Sequence, residues 1–249
     1  MIIYMKKINL LNNISIVLVD TKTPANIGSV ARCMMNMDLS NLILVRPPRD
    51  EAHMAAKLAI NATGIIDTAK IYESVRDAIT PHGLVFGVSR HRGKLRENIH
   101  SPAHAAELIM PMLSHNKIAI LFGNEINGLS RTDLSLCQEF ITIPSSAEFP
   151  SLNLSHAVII IAYEIFIALN KKNLSSKREL AQGVAIEGFY RHLQKTLEEI
   201  GFLDCNHSQR MMFSLRQLFG RSRLSARDVS ILRGMLSAVN RMAKLTRLK

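Results

Sequence analysis

Ile118-Ala-Ile-Leu-Phe-Gly-Asn-Glu-Ile-Asn-Gly-Leu129 is the stretch on which the fold turns. Its first five residues are an unbroken apolar run. A strand this apolar is buried on both faces, as in a parallel sheet flanked by helices. The run ends in a turn with two glycines and a carboxylate, a composition that suits a backbone facing a ligand and equally suits a plain strand-to-helix turn. A helical pattern over 131–137 follows. Working outward, the same alternation recurs along the chain. The apolar run 16–19 precedes a helical pattern over 27–37, and 42–45 precedes 51–59. Likewise 84–88 precedes 102–113, and 140–143 precedes 153–169. Strands alternating with helices predict an α/β fold built on a doubly wound parallel sheet.

The pattern changes after residue 170. Residues 171–177 are polar and read as a linker, and no strand signal follows. Ile186, Phe189, Tyr190, Leu193, Leu197 and Ile200 repeat at helical spacing. So do Met211, Leu215, Leu218 and Phe219, and then Val229, Leu232, Leu236, Val239 and Met242. These are three amphipathic helices separated near Gly201 and Gly220, with Ser225 and Asp228 placed to start the last. The chain thus divides into a domain over 1–170, a linker over 171–177 and a small all-α extension over 178–249. A length of 249 residues suits one domain with an appendage.

Charge follows this division. The chain has 31 Lys+Arg against 20 Asp+Glu, a net +11. Residues 170–249 hold 16 of the bases and 6 of the acids, so the body is nearly neutral and the extension strongly basic. Such asymmetry fits a polyanion partner, nucleic acid before an anionic membrane, although a solvated basic surface has the same composition. Arg210, Arg216, Arg221, Arg223, Arg227, Arg233 and Arg241 fall on faces opposite the apolar stripes.

Several classes are disfavoured. Cys33, Cys137 and Cys205 are far apart and odd in number, which argues against a disulfide framework and for a reducing cytoplasm. His100 and His104 share a possible helix face, but no further ligand stands at a metal-site spacing, so no metal is expected. Residues 1–20 lack a cleavage site, and Asn9, Asn12 and Asn13 interrupt their apolar stretch. The apolar run over 157–169 carries Glu164 and is too short to span a membrane, so no membrane role is expected.

In an open α/β sheet, ligands sit beyond the carboxyl ends of the strands. Neither G-x-G-x-x-G nor G-x-x-x-x-G-K-[ST] is present. After the first strand, Thr23-Pro-Ala-Asn-Ile-Gly-Ser-Val-Ala-Arg32 places Asn26 to cap a helix. Gly28 and Ser29 let a phosphate approach, and Arg32 can fork onto one. An ordinary capped helix with a surface Arg accounts for the same residues. Ile143-Pro-Ser-Ser-Ala-Glu-Phe-Pro-Ser-Leu-Asn-Leu-Ser155 leads from the last strand into the apolar helix, and a Ser-rich cap is its plain explanation.

Together, Asn26-Ile-Gly-Ser-Val-Ala-Arg32, Phe122-Gly-Asn-Glu-Ile-Asn-Gly-Leu129 and the 143–155 loop resemble the three motifs of the SPOUT-superfamily RNA 2′-O-methyltransferases of the TrmH-like group. In the extension, Gly188-Phe-Tyr-Arg-His-Leu193, Gly201-Phe-Leu203 and Ile231-Leu-Arg-Gly234 resemble the branch that methylates nucleotide 32 of the tRNA anticodon loop. The resemblance implies a C-terminal trefoil knot, a homodimer, a tRNA substrate and S-adenosylmethionine as cofactor. It implies that Val88, Ser89, Arg90, Gly123, Ile143, Pro150, Ser151 and Leu152 line the cofactor site. Arg32 would act near the ribose hydroxyl, with Asn26, Glu125, Ser151 and Asn153 as its catalytic companions. Asp38 stands where the family commonly has Gly, and Arg90 and Pro150 where it commonly has smaller residues. An rRNA methyltransferase of the same superfamily and a catalytically silent RNA-binding protein are the competing expectations.

Overall fold

The computed structural model describes residues 10–48, 62–90, 98–171, 179–203 and 208–247. The expected helix over 51–59, Cys205 and nearly all of the expected linker lie outside them. The elements are β1 (Ile14–Val19), α1 (Pro24–Asn36), β2 (Asn41–Val45), α2 (Thr63–Asp67), β3 (Lys70–Tyr72), α3 (Val75–Ile79) and β4 (Leu84–Val88). Next come β5 (Ile99–His100), α4 (Pro102–Ile109), β6 (Ile118–Phe122), α5 (Arg131–Ser135), β7 (Glu139–Ile141) and α6 (Leu154–Lys171). Three helices close the chain: α7 (Gly183–Glu199), α8 (Ser208–Gly220) and α9 (Ala226–Arg247).

The strands form one sheet in the order β3-β2-β1-β6-β4-β7-β5, and every pairing is parallel. Side chains alternate across it. Ile14, Ile16 and Leu18 of β1 join Phe86 and Ile120 on one face, under α1, α4 and α6. Val17 and Val19 join Val85, Ala119 and Leu121 on the other, under Val75, Ala78 and Ile79 of α3 and Leu134 of α5. Each such Val, Leu, Ile or Phe contributes roughly 1.5–3 kcal/mol by leaving water. Helices on both faces make the sheet doubly wound, as the apolar runs predict.

Two strands escape the sequence pattern, and they are the two edges. Lys70–Tyr72 is exposed along most of its length and Ile99–His100 is only half-buried, so neither needs an apolar run. The last strand spans Glu139–Ile141, starting one residue earlier and ending two earlier than the run suggests. His100 lies on β5 and His104 on α4, so they share no helix face, although their rings approach to 5.1 Å. Asp38 takes φ 56°, the left-handed conformation that favours Gly and that Asp tolerates.

The three terminal helices have their own core of Phe189, Tyr190, Leu193, Met212 and Val229. Ser225 and Asp228 start α9 by reciprocal hydrogen bonds, as their spacing predicts. This unit docks on the edge of the sheet where strands begin. Arg223 donates to Glu139, the first residue of β7, at 3.0 and 3.1 Å. Gln217 Nε2 donates to the Cys137 carbonyl, and Asn116 Oδ1 accepts from the Leu180 amide at 2.7 Å. The docking corrects one expectation. Arg216 and Arg223 do not sit on an open basic face. Arg216 forks onto Glu187 at 2.5 and 2.9 Å, and Arg223 is held by Glu139. The exposed bases of the extension are Arg210, Arg221, Arg227, Arg233 and Arg241 among those singled out.

Candidate active site

At the opposite edge, where the central strands end, a cleft of about 410 Å³ opens. That lies within the range of small-molecule sites, roughly 300–1,000 Å³. Val88, Ser89 and Arg90 leave β4 to form one wall. Gly123 to Leu129 leave β6 to form the floor, and Ile143, Pro150, Ser151 and Leu152 close the other side. All eight residues expected at the cofactor thus line one cavity. Asn124, Ile126, Asn127, Arg131, Leu134, Leu154 and Ala157 also line it and were not singled out in the sequence.

The floor is built by the glycine turn. Asn124 Oδ1 accepts from the backbone amides of Ile126 and Asn127 at 3.0 and 2.7 Å, and the Gly128 amide donates to the Asn124 carbonyl. Gly128 closes the loop at φ 68°. Gly123 has no room for a side chain, since a Cβ there would fall 2.0 Å from the Gly128 carbonyl carbon. The glycine is therefore what lets the returning Gly128–Leu129 backbone pack against the end of β6. Ser130 and Asp133 then make a capping box that starts α5.

Three loops meet at Glu125. Its Oε1 accepts from Asn26 Nδ2 at 2.6 Å and from the Thr23 amide at 3.4 Å, while Oε2 accepts from the Lys22 amide at 3.1 Å. Asn26 Oδ1 in turn accepts from Asn153 Nδ2 at 3.3 Å. Asn153 Oδ1 accepts from the Ser155 amide and hydroxyl, each at 2.8 Å, and so caps α6. Burial works to raise the Glu125 carboxyl, but the hydrogen bonds from Asn26, Lys22 and Thr23 together hold it below the usual range. It is a carboxylate at neutral pH, with its oxygens committed to holding the first loop.

Here the structure corrects the role expected for Asn26. It does not cap α1. Thr23 occupies the cap position, Pro24 opens the helix, and Asn26 spends its side chain on Glu125 and Asn153. Lys22 and Thr23 contribute only backbone amides, which no side-chain pattern announces. Ser151 lines the cleft and is exposed. Arg32 lies six residues beyond Asn26 on α1, exposed and outside the cleft wall, with no hydrogen bond or ion pair among the described residues. Among the same residues, no group of three or more His, Cys, Asp or Glu could hold a metal ion, and no helix is long and apolar enough to cross a membrane.

Comparison with known proteins agrees with this geometry. Residues 13–163 match the SpoU rRNA methylase family, and residues 184–247 match the C-terminal domain of the tRNA methyltransferase TrmJ. A tRNA (cytidine/uridine/adenosine-2′-O-)-methyltransferase TrmJ of Pseudomonas aeruginosa is 35% identical over 94% of this chain and 96% of its own. A tRNA (cytidine/uridine-2′-O-)-methyltransferase TrmJ of Pectobacterium atrosepticum is 37% identical over 93% and 98%. The crystal structure of TrmJ from Z. mobilis superposes with a TM-score of 0.79 at 28% identity, over 91% of this chain and 98% of that one. Both the sheet with its cleft and the helical extension are thereby accounted for, and the chain belongs to the SpoU methylase family as a TrmJ-like SPOUT methyltransferase.

Proposed function

We propose that this chain transfers a methyl group from S-adenosylmethionine to a ribose 2′-hydroxyl of tRNA, at nucleotide 32 of the anticodon loop. The observation that carries the reading is the Glu125–Asn26–Asn153 chain, which gathers three separate loops at a cleft beyond the carboxyl ends of the strands. The cleft suits S-adenosylmethionine in size, and Gly123 keeps its floor folded by leaving room for the Gly128 and Leu129 backbone. Val88, Ser89, Arg90, Gly123, Ile143, Pro150, Ser151 and Leu152 would hold it. When bound, the cofactor supplies a methyl group on a cationic sulfur.

The chain's own residues then do the following. Asn26, Glu125 and Asn153 fix the first and third loops against the second. Ser151 presents its hydroxyl to the ligands in the cleft. Arg32 supplies a planar guanidinium with N–H donors and no acceptor. Its guanidinium stabilises the negative charge that develops on the attacking oxygen and clamps the neighbouring phosphate. The ribose 2′-hydroxyl would exchange its proton for the methyl group that the cofactor supplies, with the proton passing to solvent water.

The further parts of the reading follow the family. The family resemblance supports a trefoil knot near the end of the sheet domain. A homodimer is supported by α6, where Tyr163 is 51% exposed beside the half-buried Ile159, Ile160 and Phe166. The division into 1–170, 171–177 and 178–249 gives the body the chemistry and the basic extension the RNA backbone, in a cytoplasmic enzyme. The test is transfer of labelled methyl from S-adenosylmethionine to bulk tRNA, followed by nucleoside mapping. A 2′-O-methyl group at nucleotide 32 is expected, and no incorporation into tRNA overturns the proposal.

A further inference from the structure

Phe149 poses a question that the cofactor site does not answer. It is 78% exposed, the most exposed of the large apolar side chains described. Its chain neighbours Pro150, Ser151 and Leu152 all line the cleft, so its Cα stands about 3.8 Å from that of a wall residue. The loop that carries it is pinned. Ser145 Oγ donates to the Pro150 carbonyl at 3.0 Å, and the Glu148 amide donates to Ser146 Oγ at 3.2 Å. Pro150 further restricts the backbone of Phe149 to extended conformations. The exposed ring is therefore carried by a closed loop whose next three residues line the cleft.

The aromatic residue within the lining is Phe122, which is 2% exposed and belongs to the sheet core. Phe149 thus offers the accessible aromatic face beside the cleft. Ile126, 76% exposed on the neighbouring loop and itself part of the lining, adds a second apolar surface. A loop nucleotide whose base has left the stack of its neighbours can lower its ribose into such a cleft. An unstacked base is commonly received by an aromatic ring.

We propose that Phe149 stacks on the base of the nucleotide being methylated and so positions its ribose. The inference rests on the tRNA methyltransferase reading above. Stacking on a π-face accepts any base, so this contact orients the nucleotide without selecting its identity.

The test uses the full-length protein and tRNA with 2-aminopurine at the target nucleotide. On binding, wild type should leave the probe more quenched than Phe149→Ala does, because only wild type restacks the freed base on the ring. For unmodified tRNA, Phe149→Ala should raise KM on the order of tenfold and leave cofactor Kd within about twofold. Phe149→Trp should restore both quenching and KM. Quenching and KM unchanged in Phe149→Ala, while wild type transfers methyl normally, overturn the stacking role and leave the functional reading intact. A Phe149→Ala protein that sediments as a smaller species than wild type assigns the ring to a contact between copies and likewise overturns it. A wild-type protein that methylates no tRNA removes the functional reading and the stacking role with it.

Discussion

Asn26 and Glu125, 99 positions apart, meet at 2.6 Å, and through them the turn after β6 holds the start of α1. The contact is a hydrogen bond to a carboxylate, the stronger kind. Asn26→Ala removes it together with the link to Asn153. Because the site is half open to water, the stability cost should be small, about 1 kcal/mol by thermal unfolding. The loss in methyl-transfer kcat/KM should be larger, tenfold or more on the order of a misplaced catalytic loop. A variant with wild-type kcat/KM would remove this network from the chemistry.

Gly123→Ala should abolish cofactor binding. Its Cβ would fall 2.0 to 2.4 Å from the Gly128 and Leu129 backbone, so the floor of the cleft must be rebuilt. Gly64→Ala is the matched control, because nothing lies within 4 Å of its Cβ and Gly64 is helical. Titration calorimetry with S-adenosylmethionine should separate the two variants, and equal affinity would sink the assignment.

His82 makes the fold acid-sensitive. Burial pushes its pKa from 6.5 down to about 4, while Nε2 pairs with Ser15 Oγ at 2.9 Å. The folded state keeps the ring neutral and the unfolded chain protonates it near pH 6.5. Stability is therefore complete above pH 6.5 and lost as pH falls towards 4, by about 2 kcal/mol at pH 5. Chemical denaturation at pH 7.5 and 5.0 should show the loss, and a His82→Gln protein should lose less between the same two values.

Arg227, Arg233 and Arg241 remain exposed on α9 when Arg216 and Arg223 are committed to Glu187 and Glu139. Replacing the three by Ala should weaken tRNA binding and reduce the slope of log K against log salt by roughly 0.7–0.9 for each phosphate that is no longer neutralised. Cofactor affinity should not change. Substitution is a cleaner test than truncation, because removing the extension also strips Glu139 of its Arg223 partner and uncovers the start of β4, where Leu180 packs on Gly83. An unaltered salt slope would return these arginines to the role of a solvated surface.

The legible parts of this molecule are those where one physical demand acts alone. Strands β1, β2, β4, β6 and β7 are covered on both faces, so most of their residues are apolar, and the sequence shows them as runs. The edge strands β3 and β5 carry no such demand and leave no trace. The eight lining residues were found because their motif pattern is shared with a family. Arg131 belongs to the same cleft but lies outside the three motifs, where nothing marks it. Asn26 shows why a local reading can fail. Its place just before the helical pattern over 27–37 suits a cap, yet the helix starts at Pro24 and the partner of Asn26 lies 99 residues away. The arginines fail for the same reason: helical spacing places Arg216 and Arg223 on polar faces, but only the fold brings Glu187 and Glu139 to them.

The sheet order also bears on how this chain comes into being. β1 is the first strand made and lies inside the sheet, yet one of its two neighbours is β6, with Ile14 beside Ile118. Until about residue 122 has been synthesised, β1 has one open edge and β4 has none of its final partners. The segment up to β4 cannot close the sheet alone, so the centre of the fold is completed only when β6 is made. Contacts of such long sequence separation slow folding and leave apolar strands uncovered during synthesis. A truncation in the segment between β4 and β6 should therefore yield an aggregating fragment rather than a smaller folded protein.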